Sequence, residues 1–218
     1  MRIVAAFALA VLLSARLGAQ TNAASFDEPY PVSVRLFFLA TEQSFAAQTT
    51  FDAVFGKSMA PFFGGGLQVA MQNGLFIDFG ISRFKQTGQR AFVNNGQTFP
   101  LGIPLTATIT PIELSAGYRF GASGMSRFIP YAAAGIGRYN YREESDFAID
   151  GDNVDAHHIG YLASGGLEIR LHRWVGVAVD AQYTHITGIL GEAGISKDAG
   201  ETNLGGIAGR FKLLIGRR

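Results

Sequence analysis

The most informative absence from the sequence is cysteine, which does not occur among its 218 residues. A disulfide framework, a thiolate metal site and lipid attachment through an N-terminal cysteine are therefore excluded. We expect the fold to be stabilised by strand pairing alone.

Charge of one sign and long apolar runs are also scarce. The formal net charge is +1, which argues against a nucleic-acid binder, because such proteins neutralise phosphates with clustered lysine and arginine. After residue 20 no stretch reaches the roughly 18 uninterrupted apolar residues that a spanning helix needs. Any crossing of a membrane must therefore be made by strands.

The N-terminus has the layout of a secretory signal peptide. Met1 and Arg2 precede an apolar run over residues 3–13, and small residues end at Ala19. The alternative, a retained transmembrane helix, needs a run of roughly 20 residues. We expect residues 1–19 to be a signal peptide and residues 20–31 to be a short periplasmic tail.

The rest of the chain contains segments in which apolar residues recur at every second position, most clearly at residues 106–120. There one parity is apolar and the other is polar or charged. The first set is Ile112, Leu114, Ala116, Tyr118 and Phe120, and the second is Glu113, Ser115, Gly117 and Arg119. A period of two places these sets on opposite faces of a strand, so one face can meet lipid and the other a polar lumen.

Eight such segments are predicted, at residues 32–40, 61–71, 75–85, 106–120, 128–142, 157–171, 174–187 and 203–215. Asn73-Gly74 is a strong hairpin signal between the second and third. Long connections follow the odd-numbered segments, at residues 41–59, 94–104, 143–155 and 188–202, and short ones follow the others. The pattern predicts an all-β fold over residues 32–218, a single eight-stranded antiparallel up-and-down transmembrane barrel with long extracellular loops and short periplasmic turns.

Alternation alone does not say which face meets lipid, and a soluble lipocalin-type barrel would show the same pattern inverted. Strands of ten or more residues exceed the usual 5–6 of soluble sheets and favour the membrane barrel. Aromatic residues near segment ends are candidates for the interfacial girdles. They are Tyr118, Phe120, Tyr131, Tyr139, Tyr141, Trp174, Tyr183 and Phe211.

With the apolar face outward, the other parity places charges of both signs in the lumen. The predicted lumen charge network is Arg35, Asp78, Glu113, Arg119, Glu168, Arg170, Asp180, Arg210 and Lys212. An eight-stranded barrel is only wide enough for its side chains to fill, so these charges should pair and plug it. Two further interpretations stay open: a gate in which one carboxylate switches between two arginines, and the solvent face of a soluble barrel.

Signals for chemistry are weak. The four histidines lack metal-site spacing, and we expect no metal, no cofactor and no catalytic residue. A lipid A-modifying barrel enzyme is a minor alternative, with His185 as the base, Thr187 as the hydroxyl and Glu192 as the acid. The acidic segment at residues 143–155 offers oxygen ligands for Ca²⁺ but lacks the EF-hand order, and a solvated loop is the simpler interpretation.

The signal peptide, the eight alternating segments and the stretch from Pro130 to Gly137 resemble small outer-membrane β-barrel proteins, in particular the OmpA-type transmembrane domain and the OmpW family. The resemblance covers most of residues 32–215. It implies a non-enzymatic, monomeric integral protein of the bacterial outer membrane whose partners are membrane lipid, lipopolysaccharide and the barrel assembly machinery.

Our first interpretation is a barrel with a charge-plugged lumen and a structural or surface-interaction role through its extracellular loops, above all residues 41–59 and 143–155. The alternative is a narrow gated pore or an OmpW-like conduit for small hydrophobic molecules. Candidate conduit residues are Phe37, Leu39, Phe84, Ile136 and Leu162. Ordinary packing is the simpler role for these five side chains.

Overall fold

The computed structural model describes residues 32–94, 97–121, 126–145, 154–191 and 194–216. The predicted signal peptide and periplasmic tail lie outside the described residues. No helix among the described residues is long and apolar enough to cross a membrane.

Eight antiparallel strands, paired in sequence order, close into a barrel because β1 pairs with both β2 and β8. The strands are β1 (Val32–Phe45), β2 (Met59–Met71), β3 (Leu75–Asn94), β4 (Gln97–Arg119), β5 (Phe128–Glu144), β6 (Val154–His172), β7 (Val175–His185) and β8 (Gly206–Ile215). Two short helices lie in the connections, α1 (Gln48–Phe55) and α2 (Gly194–Asp198). The predicted fold class is confirmed.

The short connections share one end of the barrel, here called the turn end, and the long ones share the other, the loop end. The turn between β2 and β3 shows how sequence fixes this end. Gly74 adopts φ of 95°, a conformation that glycine takes without strain. Asn73 Oδ1 accepts a hydrogen bond of 3.0 Å from the Leu75 amide. The predicted Asn-Gly hairpin is therefore present.

Burial follows the alternation and shows which face is apolar. Large apolar side chains point away from the barrel, with Phe38 61%, Ile159 68% and Tyr161 67% exposed. The intervening residues point inward and are mostly buried, charged ones included. This is the pattern of a barrel that meets lipid, since a soluble barrel would bury its apolar face.

Several predicted connections are shorter than expected. The predicted loop at residues 94–104 is mostly strand, because β3 and β4 continue as a two-stranded ribbon to the Asn94–Gln97 pair. Pairing of β3 with β2 ends at Arg83, and pairing of β4 with β5 ends at Thr106, so the ribbon projects past the barrel wall. The predicted loop at residues 41–59 contains the end of β1, the helix α1 and the start of β2.

The girdle prediction is wrong for three aromatic residues. Tyr131, Tyr139 and Tyr141 are buried inside the barrel, because odd positions of β5 face inward. The remaining predicted girdle residues are exposed: Tyr118, Phe120, Trp174, Tyr183 and Phe211.

Candidate functional site

The interior holds two successive fillings. An ionic layer, formed by the nine predicted lumen charges, occupies the lumen from the turn end to its middle. Above it, at the loop end, lies an apolar filling that we call the aromatic plug. Its buried members are Phe45, Ala47, Phe51, Ala60, Phe62, Phe84, Ile109, Tyr139, Tyr141, Ile186, Leu190 and Leu204.

The part of the ionic layer nearest the turn end is centred on Glu168 of β6. Arg35 of β1 donates to both of its carboxylate oxygens, at 2.7 and 2.9 Å. Arg119 of β4 lies 3.8 Å from the same carboxylate, and Gln68 of β2 accepts a third hydrogen bond from Arg35. The bidentate pair is fully enclosed, since the Arg35 and Glu168 side chains are 1% and 2% exposed.

The middle of the ionic layer is centred on Arg210 of β8. Its Nε donates to Asp180 Oδ1 at 2.5 Å, and its Nη1 lies 3.8 Å from Glu113 Oε2. Gln182 accepts a hydrogen bond from Arg210 and donates one of 3.1 Å to Glu113. Tyr139 also donates to Glu113, at 2.8 Å. The two carboxylates are thereby joined through one guanidinium.

Lys212 of β8 links the middle of the ionic layer to Asp78 on β3. Lys212 Nζ lies 2.8 Å from Asp78 Oδ2 and 3.9 Å from Asp180 Oδ2. The Phe37 ring centroid lies 5.2 Å from the ammonium, within range of a cation–π contact. Tyr131 donates a hydrogen bond to Asp180.

All nine predicted charges therefore face the interior, and eight of them take part in the ion pairs described above. Arg170 is half-buried on the inner face of β6, two positions from Glu168. Sequence analysis missed the polar residues that complete the layer: Gln68, Gln182, Tyr131 and Tyr139. The two glutamines share the parity of neighbouring charges, a usable signal, whereas the tyrosines were assigned to the outer face.

Little space is left around the ionic layer in the described part of the chain. Two cavities beside the ionic layer have volumes of about 20 and 10 Å³, enough for about one water molecule each. The first is lined in part by Phe37 and Leu39.

The aromatic plug is held together by ring contacts between several elements. Phe45 of β1 stacks on Phe51 of α1, with centroids 3.7 Å apart and planes inclined by 13°. Phe84 of β3 lies against Phe62 of β2 at 5.4 Å and against Phe55 of α1 at 6.2 Å. The helix therefore packs its apolar face, with Phe51 and Phe55, onto the loop end of the lumen.

Glu201, in the connection between α2 and β8, fastens α1. Its carboxylate accepts hydrogen bonds of 2.8 Å from the Thr49 and Thr50 amides and of 2.7 Å from the Thr50 hydroxyl. These amides are among the unpaired donors of a helix N-terminus. Burial opposes ionisation, but the hydrogen bonds from Thr50 and Thr49 outweigh it and lower the pKa of Glu201.

The predicted conduit residues do not form an open path. Phe37, Leu39 and Leu162 are buried in the lumen, and Phe84 is part of the plug. Ile136 was placed wrongly: it is 49% exposed on the outer wall, because even positions of β5 face outward.

A groove of about 1050 Å³ lies outside the plug, at the loop end. One wall is α1, with Thr49, Asp52 and Phe55, and the other is the projecting ribbon, with Thr87 and Gln89. The groove is thus built from α1, which lies in the predicted loop at residues 41–59, and from the ribbon, of which Gly102 and Pro104 lie in the predicted loop at residues 94–104.

The structure does not bring the residues of the minor enzymatic alternative together in a described site. His185 and Thr187 are both exposed, and Glu192 lies outside the described residues. No group of three or more metal-ligating side chains occurs in the described part of the chain. Of the acidic segment, Glu144 and Asp155 lie 3.6 and 3.2 Å from Arg142, while residues 146–153 are not described.

Comparison with solved structures agrees with this architecture. A major outer membrane protein from Thermus thermophilus superposes with a TM-score of 0.53 at 10% identity, over 84% of this chain and 98% of that one. The N-terminal β-barrel domain of Pseudomonas aeruginosa OprF gives 0.46 at 13% identity, over 84% and 96%. OprG from the same species gives 0.47 at 13% identity, over 87% and 95%. Of these three TM-scores only the first exceeds 0.5, and at 10% identity it supports the fold alone.

Comparison with sequences identifies the family. No curated protein sequence matches the chain significantly. The family described as "Outer membrane protein beta-barrel domain" matches residues 5–206, which is most of the chain. The closed eight-stranded barrel with its apolar outer wall has the architecture that this description names. The chain belongs to the outer membrane protein β-barrel domain family.

Proposed function

We propose that the protein is a non-conducting, non-enzymatic outer-membrane barrel that acts through its extracellular face, with the groove beside α1 as its binding surface. The observation that carries the proposal is the distribution of free space. The lumen cavities measure about 20 and 10 Å³, whereas the groove at the loop end measures about 1050 Å³. The proposal takes the loop end as extracellular, as is usual for outer-membrane barrels.

Two successive fillings support a closed lumen. A hydrated ion passing the ionic layer would have to separate buried pairs such as Arg35 with Glu168 and Arg210 with Asp180. Breaking a buried pair by removing one partner costs about 3–5 kcal/mol. The same ion would also have to displace the stacked rings of Phe45 and Phe51. A hydrophobic solute meets the ionic layer beneath the plug, so an apolar conduit is not favoured either.

The groove has the size and lining of a binding site. Pockets for small ligands measure about 300–1000 Å³ and combine apolar walls with a few polar groups. Here Val54 and Phe55 supply apolar surface, and Thr49 and Thr87 supply hydroxyl groups. Asp52 is the one charged residue among the described residues that line the groove, which favours a neutral or cationic ligand.

The decisive experiment is single-channel conductance of the refolded protein in a planar bilayer, after heat-modifiable gel mobility has established folding. We expect a folded protein without discrete openings. Openings in the wild-type protein would contradict the proposal. A positive control is a known eight-stranded pore refolded in the same way.

Binding at the groove is tested on a glycan array with protein in nanodiscs. Gln89→Trp fills the groove, whereas Ala199→Trp places the same side chain on an exposed position beyond α2. We expect ligands to be lost with the first change and retained with the second. If both variants bind the same glycans as the wild type, the groove is not the binding surface.

A gated pore is the second candidate, and one observation favours it. Glu168 lies 2.7 Å from Arg35 and 3.8 Å from Arg119, so one carboxylate already has two cationic partners between which it can switch. Glu168→Gln would then change the frequency of openings, whereas Glu144→Gln at an exposed pair would not. If neither variant shows channel openings, the protein is not a gated pore.

A further inference from the structure

The turn end of the barrel carries charge of one sign. Its three short connections contain two charged residues, Arg127 and Arg173, and no acidic residue. Both arginines are exposed. On the inner face beside them, Arg35 donates to both oxygens of Glu168, and Arg119 lies 3.8 Å from the same carboxylate. Among these three buried side chains, positive charge exceeds negative charge.

Three arginines lie together on one side of this mouth. Arg119 ends β4, Arg127 directly precedes β5, and Arg170 lies near the end of β6. The Arg170 amide donates a hydrogen bond of 2.9 Å to the Arg127 carbonyl, so β6 stays adjacent to the segment that enters β5. Arg119 and Arg170 occupy inward positions of their strands, and Arg127 continues the inward parity of β5. We call these three residues the arginine arc.

The arginine arc lies across the mouth from β1. In a closed barrel of eight strands paired in sequence order, β5 is the fourth strand from β1 in either direction. Eight strands about 4.8 Å apart and tilted by about 40° enclose a mouth about 16 Å across. A segment that leaves β1 at the turn end must therefore cover about this distance to reach the arc.

The predicted periplasmic tail joins β1 at this end and has the opposite charge. Val32 begins β1, and Asp27 and Glu28 are the only charged residues among residues 20–31. One proline follows Glu28 and another precedes Val32. Because proline fixes its own φ and disfavours helical conformation in the residue before it, the sequence predicts an extended path. At about 3.3 Å per residue, Glu28 can lie about 13 Å and Asp27 about 16 Å from Val32.

We propose that the arginine arc is a docking site for the chain's own N-terminal segment, which crosses the turn-end mouth and pairs Asp27 and Glu28 with the arc. The charges are complementary, and the reach of the two carboxylates equals the width of the mouth. Guanidinium groups bind carboxylates through paired, charge-assisted hydrogen bonds. A segment tethered to β1 is present at the mouth at an effective concentration on the order of millimolar, which favours it over a separate anionic partner. The proposal does not depend on the groove beside α1.

The test measures the position of the tail by electron paramagnetic resonance. The sequence lacks cysteine, so Ser25→Cys and Gln72→Cys place one spin label on the tail and one on the exposed turn between β2 and β3. The chain from residue 20 is refolded in phosphatidylcholine nanodiscs, and gel mobility without heating establishes folding. We expect one narrow distribution of label distances, no longer than the mouth of about 16 Å plus the two label linkers.

Charge variants then show whether the ion pairs hold the tail. An accessible ion pair contributes up to about a fivefold change in an equilibrium constant, so Asp27→Asn/Glu28→Gln should lower the ratio of docked to undocked tail on the order of 20-fold. Glu28→Arg and Arg127→Glu should each weaken docking, and the two together should restore it. The control variant Lys57→Gln/Lys197→Gln removes two exposed cations at the loop end and should leave the distances unchanged.

Three outcomes would overturn the proposal. A broad distance distribution in the labelled chain with all its native charges would show that the tail does not dock. A narrow distribution that persists in Asp27→Asn/Glu28→Gln would show that something other than the two carboxylates holds the tail. Release of the tail in nanodiscs that contain phosphatidylglycerol would assign the arginine arc to anionic phospholipid head groups instead.

Discussion

Removal of the Glu168 carboxylate is the sharpest test of the ionic layer. The side chain is 2% exposed and is held by Arg35 through two hydrogen bonds of 2.7 and 2.9 Å. Arg119 lies 3.8 Å from the same group. Glu168→Ala therefore leaves two buried guanidinium groups without their shared anion, and a cavity where the side chain was.

The size of the effect follows from that uncompensated charge. Removing one partner of a buried ion pair costs about 3–5 kcal/mol, most of it the desolvation of the remaining charge. We expect Glu168→Ala to lower the free energy of unfolding by this amount. Arg35→Ala should cost a similar amount, but the double variant less than the sum of the two. A coupling of about 2 kcal/mol would be consistent with contacting residues.

The assay is reversible urea unfolding in lipid vesicles, followed by the fluorescence of the single tryptophan, Trp174. Gel mobility without heating confirms that each variant folds. Arg142→Ala, at an exposed pair, serves as the control and should cost less than about 1 kcal/mol. A loss below about 1 kcal/mol for Glu168→Ala, or strict additivity with Arg35→Ala, would refute a structural role for the pair.

Three further predictions concern helix α1, two glycines of the barrel wall and the aromatic plug. Glu201→Gln should raise amide exchange at Thr50 about two- to fivefold, because a helix-terminal acceptor is weakened. Because the pKa of Glu201 is lowered, this difference is full above the ordinary glutamate value of roughly 4.3 and is lost as the pH falls from there through the lowered pKa. Gly66→Ala should lower the free energy of unfolding by about 1–3 kcal/mol in the same urea assay, because the new Cβ would lie 2.0 Å from a backbone oxygen. Gly80→Ala is the matched control and should cost less, because the nearest atom to its Cβ is 3.4 Å away. Phe51→Ala should show no channel openings in planar bilayers, because the ionic layer below the plug still fills the lumen. Openings in this variant would show that the ionic layer alone does not close the barrel.

Sequence alternation was sufficient to predict the barrel and the charged residues of the ionic layer. Strict period-two patterns on β7 and β8 place Asp180, Arg210 and Lys212 on the side opposite large apolar residues. An inward charge needs an inward partner, so the same pattern implies pairing. The individual ion pairs were not predictable from the sequence, because partners such as Arg35 and Glu168 are 133 residues apart in the chain.

The failures occur where the period-two signal is weak. On β5 the run of alanine and glycine at residues 132–135 gives neither face an apolar character, and Ile136 and Tyr139 were assigned to the wrong sides. The ribbon beyond Arg83 alternates poorly because no lumen requires it to. Helix α1 is eight residues long, and its fit depends on Phe45 and Phe84, which reach it only in the closed barrel.

The two fillings of the lumen strengthen each other. Ion pairs gain most from a low local dielectric, and water entering from the loop end would weaken them. The aromatic plug prevents that entry, while Tyr139 belongs to the plug and donates to Glu113 of the ionic layer at 2.8 Å. Loosening the plug should therefore weaken, without breaking, the ion pairs that lie beneath it. In the closed barrel that we propose, closure is thus a property of the two fillings together, and Glu201, which fastens α1, contributes to keeping the charges below it paired.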